Sequence, residues 1–501
     1  MARYLLIFIC IMLVGCGPSL QTLVEKREDL AGADIEWLKS CPPDLSDPLT
    51  LDEILQIALG NNLELFVKEQ EFIIQEDEVA KLRFELLPQL DFNYNNSLRS
   101  KNTAAISAYV NPPPGTPPPV YQIGSPRHSI TMNLSLIWNV LDCGVTYFHS
   151  RQQQDKAIIQ CFEYARIRNS VILRAVSSYW RAVAFKQALD RANILLPEML
   201  QQTERLNNEL ENRAYLTKDQ ALTKLVYFYQ REIQVRGFND RNDSSDPTQG
   251  FEKEYENAKL DLAELMQLPP GVPFEIFIPE GELPYQLDLP DVKDLFEVAL
   301  TNRPELYEED LDYRISADDV TISLIQALPG LQLFGIRDYD NNPFLLYNNW
   351  YQIGLKVAKD LFEYPKNVMD YIIGRDSEEL DARHRLLVSE GILTQVSIAY
   401  LLYAQNVDQY LLAKKVANAN QRLANLYDLE NAVGKKSKLE ALQARIDATL
   451  AQNNVAKIYA ELQANLEQLN NAIGIPLYFS TFNPDSVEPE SEINSLEEMA
   501  G

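Results

Sequence analysis

Ala58-Leu59-Gly60-Asn61-Asn62-Leu63-Glu64-Leu65 opens a helical run that stops at Leu87-Pro88-Gln89-Leu90. Ala299-Leu300-Thr301-Asn302-Arg303-Pro304-Glu305-Leu306 opens another, which stops at Leu328-Pro329-Gly330-Leu331. The copies stand 241 residues apart at both ends, Ala58 to Ala299 and Pro88 to Pro329, so the register holds without a gap. Scattered leucines agree by chance. An Ala-Leu-x-Asn-x-x-Glu-Leu start joined to a Leu-Pro stop at constant spacing does not. The chain is a duplication, and that decides its architecture before any single motif is read.

Beyond each Leu-Pro stop the period changes from helical to two. Leu90, Phe92 and Tyr94 alternate with Asp91, Asn93 and Asn95. Further on, Ile130, Met132, Leu134, Leu136, Trp138 and Val140 alternate with Thr131, Asn133, Ser135, Ile137, Asn139 and Leu141. This pattern suits a half-buried sandwich strand, or a barrel strand with lipid on one side and water on the other. The length of the second run counts against the sandwich, where strands average about five or six residues. The Pro-rich stretch from Asn111 to Pro119 joins the two strands as an exposed loop. In the second half a strand is expected near 331–336, a loop over 338–349, and a strand carrying Tyr351, Ile353, Leu355 and Val357. Leu331-Gln332-Leu333-Phe334 alternates poorly.

Long helices fill the rest. One is expected over 145–212, with Pro197 kinking or dividing it. Roughly 68 residues would span about 100 Å. A return helix follows, is interrupted by the polar stretch Gly237 to Pro247, resumes over 251–268 and ends at Pro269-Pro270-Gly271. The second half repeats the order, with helices over 365–431 and 437–472. Leu439, Leu442, Ile446 and Leu450, then Leu462, Leu466, Leu469 and Ile473, recur every three or four residues as coiled-coil-like seams. The copies change offset within loops, as a duplication requires. The expected organisation is a signal (1–15), a leader (16–48, irregular, with Pro42, Pro43 and Pro48 as breakers), a first repeat (49–271), a linker (272–290), a second repeat (291–477) and an acidic tail (478–501).

The first residues are a targeting signal. Arg3 supplies the positive end, Tyr4 to Val14 the apolar core, and Leu13-Val14-Gly15-Cys16 resembles a bacterial lipobox, where cleavage leaves Cys16 as an acylated N-terminus. Gly17 follows, not an aspartate; by analogy with lipoproteins this favours the outer membrane. Beyond the signal no later run reaches the roughly 18 apolar residues a spanning helix needs. Cys143 and Cys161 fall on what reads as a strand end and a helix; helix would separate them by about 27 Å, so they should not pair with each other. With Cys41 they make an odd set of thiols, which argues against a complete disulfide framework. Net charge is −27, which excludes a nucleic-acid partner. The acidity suits a self-repelling soluble surface, or a negative field along a water-filled passage.

With these features in order, the chain resembles the outer-membrane efflux protein family of TolC type, in its lipoprotein form. The likeness covers nearly everything from Leu49 to Leu477. It rests on the two duplicated segments, the strand closing on Trp138-Asn139-Val140-Leu141-Asp142, and Gly434-Lys435-Lys436-Ser437-Lys438-Leu439-Glu440-Ala441-Leu442-Gln443-Ala444, which is similar to the family's periplasmic helix-turn motif. The resemblance implies a mostly α fold with a β-barrel segment. Duplicated helical hairpins would form a trimeric α-barrel tunnel, and four strands per chain would enter a shared 12-stranded outer-membrane barrel. It implies a homotrimer working with a periplasmic adaptor and an inner-membrane pump, as the exit duct of a tripartite efflux or type I secretion system. A non-conducting periplasm-spanning lipoprotein is the alternative, though a tether has no use for alternating strands.

The resemblance also implies roles for residues. Phe92, Leu134, Leu136, Leu355 and Val357 would face lipid, and Asn93, Asn133, Ser135 and Lys356 water. Ala214, Tyr215, Leu216 and Thr217, with Val433, Gly434, Lys435, Lys436 and Ser437, would form the turns that an adaptor engages. Acidic residues close the tunnel in this family. Glu440 matches such a position and Asp219 lies beside another, while Gln220 and Gln443 stand where relatives carry aspartate; the counterpart of Gly434 is Ala214. Glu440 is read equally as a gate acid and as a solvated coiled-coil position. Tyr94, Tyr121, Tyr339, Tyr347 and Tyr351 lie in or near strands, as aromatic girdles or by ordinary β-propensity. No enzymatic constellation is present, and no cofactor or metal is expected. His128, His149 and His384 are scattered, and Glu308-Glu309-Asp310 reads as a solvated helix face.

Overall fold

The structure is a computed structural model. It describes residues 20–475, apart from 41–44, 46, 107–113, 116, 119, 213–217, 238–249, 270, 280–288, 360, 361 and 363. In chain order its elements are α1 (Leu20–Ser40), α2 (Leu51–Asn61), α3 (Leu63–Glu85), β1 (Gln89–Leu98), β2 (Thr103–Ile106), β3 (Tyr121–Ser125), β4 (His128–Asn139), α4 (Val140–Asn212), α5 (Lys218–Arg236), α6 (Phe251–Leu265), α7 (Val292–Asn302), α8 (Pro304–Ala327), β5 (Gly330–Asp340), β6 (Asn349–Ala358), α9 (Tyr364–Ala432) and α10 (Lys438–Ile473). The duplication is visible in this order, with α2-α3-β1 answered by α7-α8-β5 and β4-α4 by β6-α9.

The repeated Ala-Leu-x-Asn segment is where two helices meet. In the first copy Asn62 ends α2 with extended backbone. Its side-chain oxygen then accepts from the amides of Glu64 (3.0 Å) and Leu65 (3.2 Å), capping α3. In the second copy Arg303 takes the position with no side-chain cap, and Pro304 starts α8 instead.

The chain divides into two units. The first comprises 1–66, 166–302 and 392–501. One apolar cluster in it joins Ile54, Leu55 and Ala58 of α2, Ile172, Ala175 and Tyr179 of α4, Leu262 and Leu265 of α6, and Phe274 and Ile276. Another gathers Tyr403, Val407 and Tyr410 of α9 with Tyr459 and Leu462 of α10. Each leucine, isoleucine, valine or phenylalanine among them, fully buried, contributes about 1.5–3 kcal/mol. Gly474 ends α10 at φ +79°, and a Cβ there would stand 2.9 Å from the Asn302 carbonyl oxygen, so glycine meets both demands.

The second unit comprises 67–165 and 303–391, and its helices meet through polar groups. Lys68 bridges Glu71 (2.7 Å) and Glu163 (2.9 Å). Gln152 of α4 donates to Asp319 of α8 (2.6 Å), and Arg314 of α8 grips the buried Asp155 with two nitrogens. Between α8 and α9, Glu309 pairs with His384 (2.7 Å) and Asp310 with Arg385 (3.2 Å), so the acidic run on α8 is spent on a neighbouring helix.

Several expectations are corrected. The leader is not irregular: Leu20–Ser40 is helical, since no proline falls inside it and Pro42 follows it. Pro197 does not divide α4; the helix is continuous past it, with Leu195 and Met199 on either side buried in one cluster. β5 runs on to Asp340, shortening the expected loop. The segment between β1 and β4 contains a hairpin, β2 paired with β3. One helix, α9, is long and apolar enough by composition to cross a membrane. This corrects the expectation that no later run would be apolar enough; Ser, Thr, Gln and Glu break up its apolar residues and hid it in the sequence. Cys143 and Cys161, both on α4, form no disulfide with each other. The signal, Cys16, Cys41 and the tail from 478 onward lie outside the described residues.

Candidate functional site: two sheet faces and a helical tip

The second unit holds one four-stranded antiparallel sheet in the order β1-β4-β5-β6. All its helix attachments lie at one end: α3 leads into β1, β4 into α4, α8 into β5 and β6 into α9. β1 and β6 are edges with no neighbour among the described residues.

The pairing register sorts side chains into two faces, because residues directly opposite share a face. Phe92 faces Leu134, and Leu90 faces Leu136. Trp138 faces Leu333, which faces Leu355, and Leu331 faces Val357. Phe92, Leu134, Leu136, Leu355 and Val357 therefore share one face, and all five are exposed. Asn93 faces Asn133, which faces Asp338, while Gln332 faces Lys356 on the same side. Asn133 donates to Asp338 at 2.7 Å, and Ser135 beside it is buried. The poor alternation near Leu331 has a cause. Phe334 falls on the polar face, and its ring occupies the space that a Cβ at Gly354 would need.

The tip belongs to the first unit. α9 ends at Ala432, Gly434 turns the chain at φ +77°, and Ser437 caps α10. Glu440 completes a capping box: Ser437 accepts from the Glu440 amide, while Glu440 Oε2 accepts from the Ser437 amide (3.0 Å) and hydroxyl (2.8 Å). Its other oxygen meets the Lys436 ammonium at 3.0 Å. The Ser437 amide first, and then Lys436 and the Ser437 hydroxyl, hold the Glu440 carboxyl at about 2. It is therefore charged at any physiological pH, with the Lys436 charge beside it. Val433, Gly434, Lys435 and Ser437 are exposed on the turn and Lys436 is half-buried. Asp219 and Gln220 are exposed in the first turn of α5, and Gln443 is half-buried on α10. Ala214, Tyr215, Leu216 and Thr217 lie outside the described residues.

The sequence reading found the apolar seam of α10 but missed the charged residues that tie it to its neighbours. Leu442 and Ile446 are fully buried in a cluster with Leu195 and Met199 of α4 and Leu225 and Phe228 of α5. Charged residues flank Ile446 on both sides. Arg445 meets Glu198 of α4 at 2.8 Å and Asp428 of α9 at 3.5 Å. Asp447 accepts from Tyr227 (3.3 Å) and meets Arg231 (3.2 Å), both on α5. Burial pushes the Tyr227 hydroxyl up, so it keeps its proton and donates. Two residues on one helix thus engage three others. Their signal was a charge on each side of a seam position, where coiled coils place partner-selecting ion pairs.

No family model and no curated protein matches the sequence. Solved structures do. The outer membrane channel CmeC of Campylobacter jejuni is similar with a TM-score of 0.64 at 15% identity, over 85% of this chain and 85% of that one. The open state of the MtrE outer membrane channel of Neisseria gonorrhoeae gives 0.62 at 15% identity, over 85% and 89%. The outer membrane protein VceC of Vibrio cholerae gives 0.61 at 12% identity, over 85% and 96%. The duplicated helices and the four-stranded sheet together are the fold of the outer-membrane channels.

Proposed function

We propose that this chain is one third of a trimeric duct in a bacterial outer membrane, passing substrate outward from an inner-membrane pump and its periplasmic adaptor. It works as a passive conduit in efflux or type I secretion, with no catalytic step. One observation carries the reading: a sheet with two open edges, one apolar face and one polar face. In lipid an open edge leaves backbone groups unsatisfied, so the sheet must close. Four strands are too few, since single-chain barrels start at about eight. β1 runs away from the helices and β6 toward them, so β6 of one copy can pair antiparallel with β1 of the next. Three copies then close an even-numbered, fully antiparallel barrel.

The helices support association as well. α9 buries Val396, Ala399, Tyr403 and Tyr410, yet exposes Leu401, Leu412, Val416, Leu423 and Leu426 along its length. A second apolar stripe on an already packed helix suits a neighbouring copy better than a membrane span. Outer-membrane lipid then meets Phe92, Leu134, Leu136, Leu355 and Val357. Acylation of Cys16 adds an anchor at the N-terminus. The turn at Val433 to Ser437, with its partner at Ala214 to Thr217, receives the adaptor. Glu440, Asp219, Gln220 and Gln443 line the approach to the closed tip.

Planar-bilayer recording tests the reading. The purified protein is expected to produce discrete conductance steps. Stable insertion without conductance would instead assign the chain as a periplasm-spanning tether.

A further inference from the structure

Arg337 is the only lysine or arginine on the apolar face of the described sheet. The register places it between Leu134 of β4 and Tyr351 of β6, in one row with Phe92. Its guanidinium lies 5.5 Å from the centroid of the Tyr351 ring, and the residue is exposed. Its side chain has no carboxylate partner and no hydrogen bond among the described residues. Every other charged strand residue of this sheet, Asp91, Asp338, Asp340 and Lys356, falls on the opposite face.

The neighbours of Arg337 give its depth. Below it on the same face come Gly335, Ile353, Leu136 and Leu90, then Leu333, Leu355 and Trp138. Above it come Tyr94, Met132, Tyr339 and Asn349, then Asn96 opposite Ile130 and Leu98 opposite His128, with Asn96 and His128 sharing a hydrogen bond of 2.8 Å. Arg337 thus stands where the face passes from rows of aliphatic, glycine and tryptophan residues to rows that mix polar and apolar side chains, among three tyrosines. It stands three residues from the end of β5, about 10 Å along the strand. An unpaired arginine is costly at the bilayer midplane and nearly free at the interface, and its long stem lets the head reach upward. Tyrosines concentrate at that same level. Gly335, two residues below, leaves the surface without a side chain where an acyl chain would lie.

We propose that Arg337, backed by the Tyr351 ring, binds the phosphate group of a lipid in the leaflet farther from the helices, one site per chain. A guanidinium presents a planar fork of donors that matches phosphate in a bidentate manner. The aromatic ring holds that fork from beneath. The assignment rests on the reading that the apolar face meets lipid.

The test uses the full-length protein in nanodiscs containing diphosphorylated lipid A, or the same glycolipid with its phosphates removed. Bound lipid is counted by native mass spectrometry for wild type, Arg337→Gln and Arg337→Lys. Wild type should retain the phosphorylated form, Arg337→Gln should bind it about tenfold more weakly, and Arg337→Lys should fall between. Equal retention by Arg337→Gln, equal retention of the phosphate-free lipid, or displacement of the lipid by inorganic phosphate would overturn the site. Quenching of Trp138 by lipids brominated on their acyl chains keeps the two readings apart. Quenching with unchanged retention rejects the phosphate site alone, whereas no quenching rejects the lipid-facing sheet, and the site with it.

Discussion

Glu467 of α10 is 2% exposed, and its only described partner is the Asn470 amide at 3.5 Å. Burial pushes its carboxyl up from 4.5 to about 7, against the small opposing pull of Asn470. Well below pH 4.5 the folded and unfolded chains both carry the proton, and the group costs nothing. As pH rises from there to about 7, the unfolded chain ionises while the folded one keeps its proton, so stability falls. Above about 7 the loss is complete, at up to about 3 kcal/mol per chain. Glu467→Gln keeps the acceptor and removes the titration. Thermal unfolding across this range should show a wild-type midpoint that drops as pH rises, and a variant midpoint that is flatter and higher at pH 8. Parallel curves would mean that Glu467 reaches water.

At the scale of elements, the turn between α9 and α10 is a stop and a start written in local chemistry. Gly434 supplies the left-handed residue, and Lys435 returns its amide to the Glu430 carbonyl at 2.8 Å. Ser437 then caps α10. Ser437→Ala removes a hydroxyl that both accepts from the Glu440 amide and donates to its carboxylate. It should cost about 1 kcal/mol, read as a lower unfolding midpoint, with Glu440 titrating closer to an ordinary carboxylate by NMR. Such signals are local, which is why this turn, the helices and the strand faces were legible in the sequence. The first-strand pair showed its dyad over enough residues to fix both faces. Phe334 obscured β5 because its partner, the missing side chain of Gly354, lies on another strand. The β2–β3 hairpin was hidden by the prolines beside it, and α1 by the prolines after it. That Pro197 would not end α4 was hidden for a similar reason. A proline's local cost is plain in sequence, while the apolar packing that offsets it is contributed by distant residues.

At the scale of the whole molecule, the proposed duct needs a means of staying shut. Sequence reasoning pointed to Glu440, whose oxygens the structure shows engaged by Ser437 and Lys436 within its own turn. That leaves little of Glu440 to hold one helix to another. Arg445 and Asp447 are different, because every partner they have is on another helix. Contacts of this kind break when α10 swings, whereas a capping box moves with its helix. Exposed ion pairs are each worth at most about 1 kcal/mol, but the four contacts here share two residues and act together. Asp447→Asn removes the charge that Arg231 meets while leaving an acceptor for Tyr227. Arg445→Gln releases Glu198 and Asp428 together. Each variant should open more often in single-channel recordings, and the double variant more than the sum of the two, since α10 then loses these polar ties to α4, α5 and α9 together. The apolar seam of Leu442 and Ile446 is untouched, so assembly and unfolding midpoint should hardly change. If both variants conduct like wild type, these pairs only pack the tip, and the constriction is set by residues in the two turns.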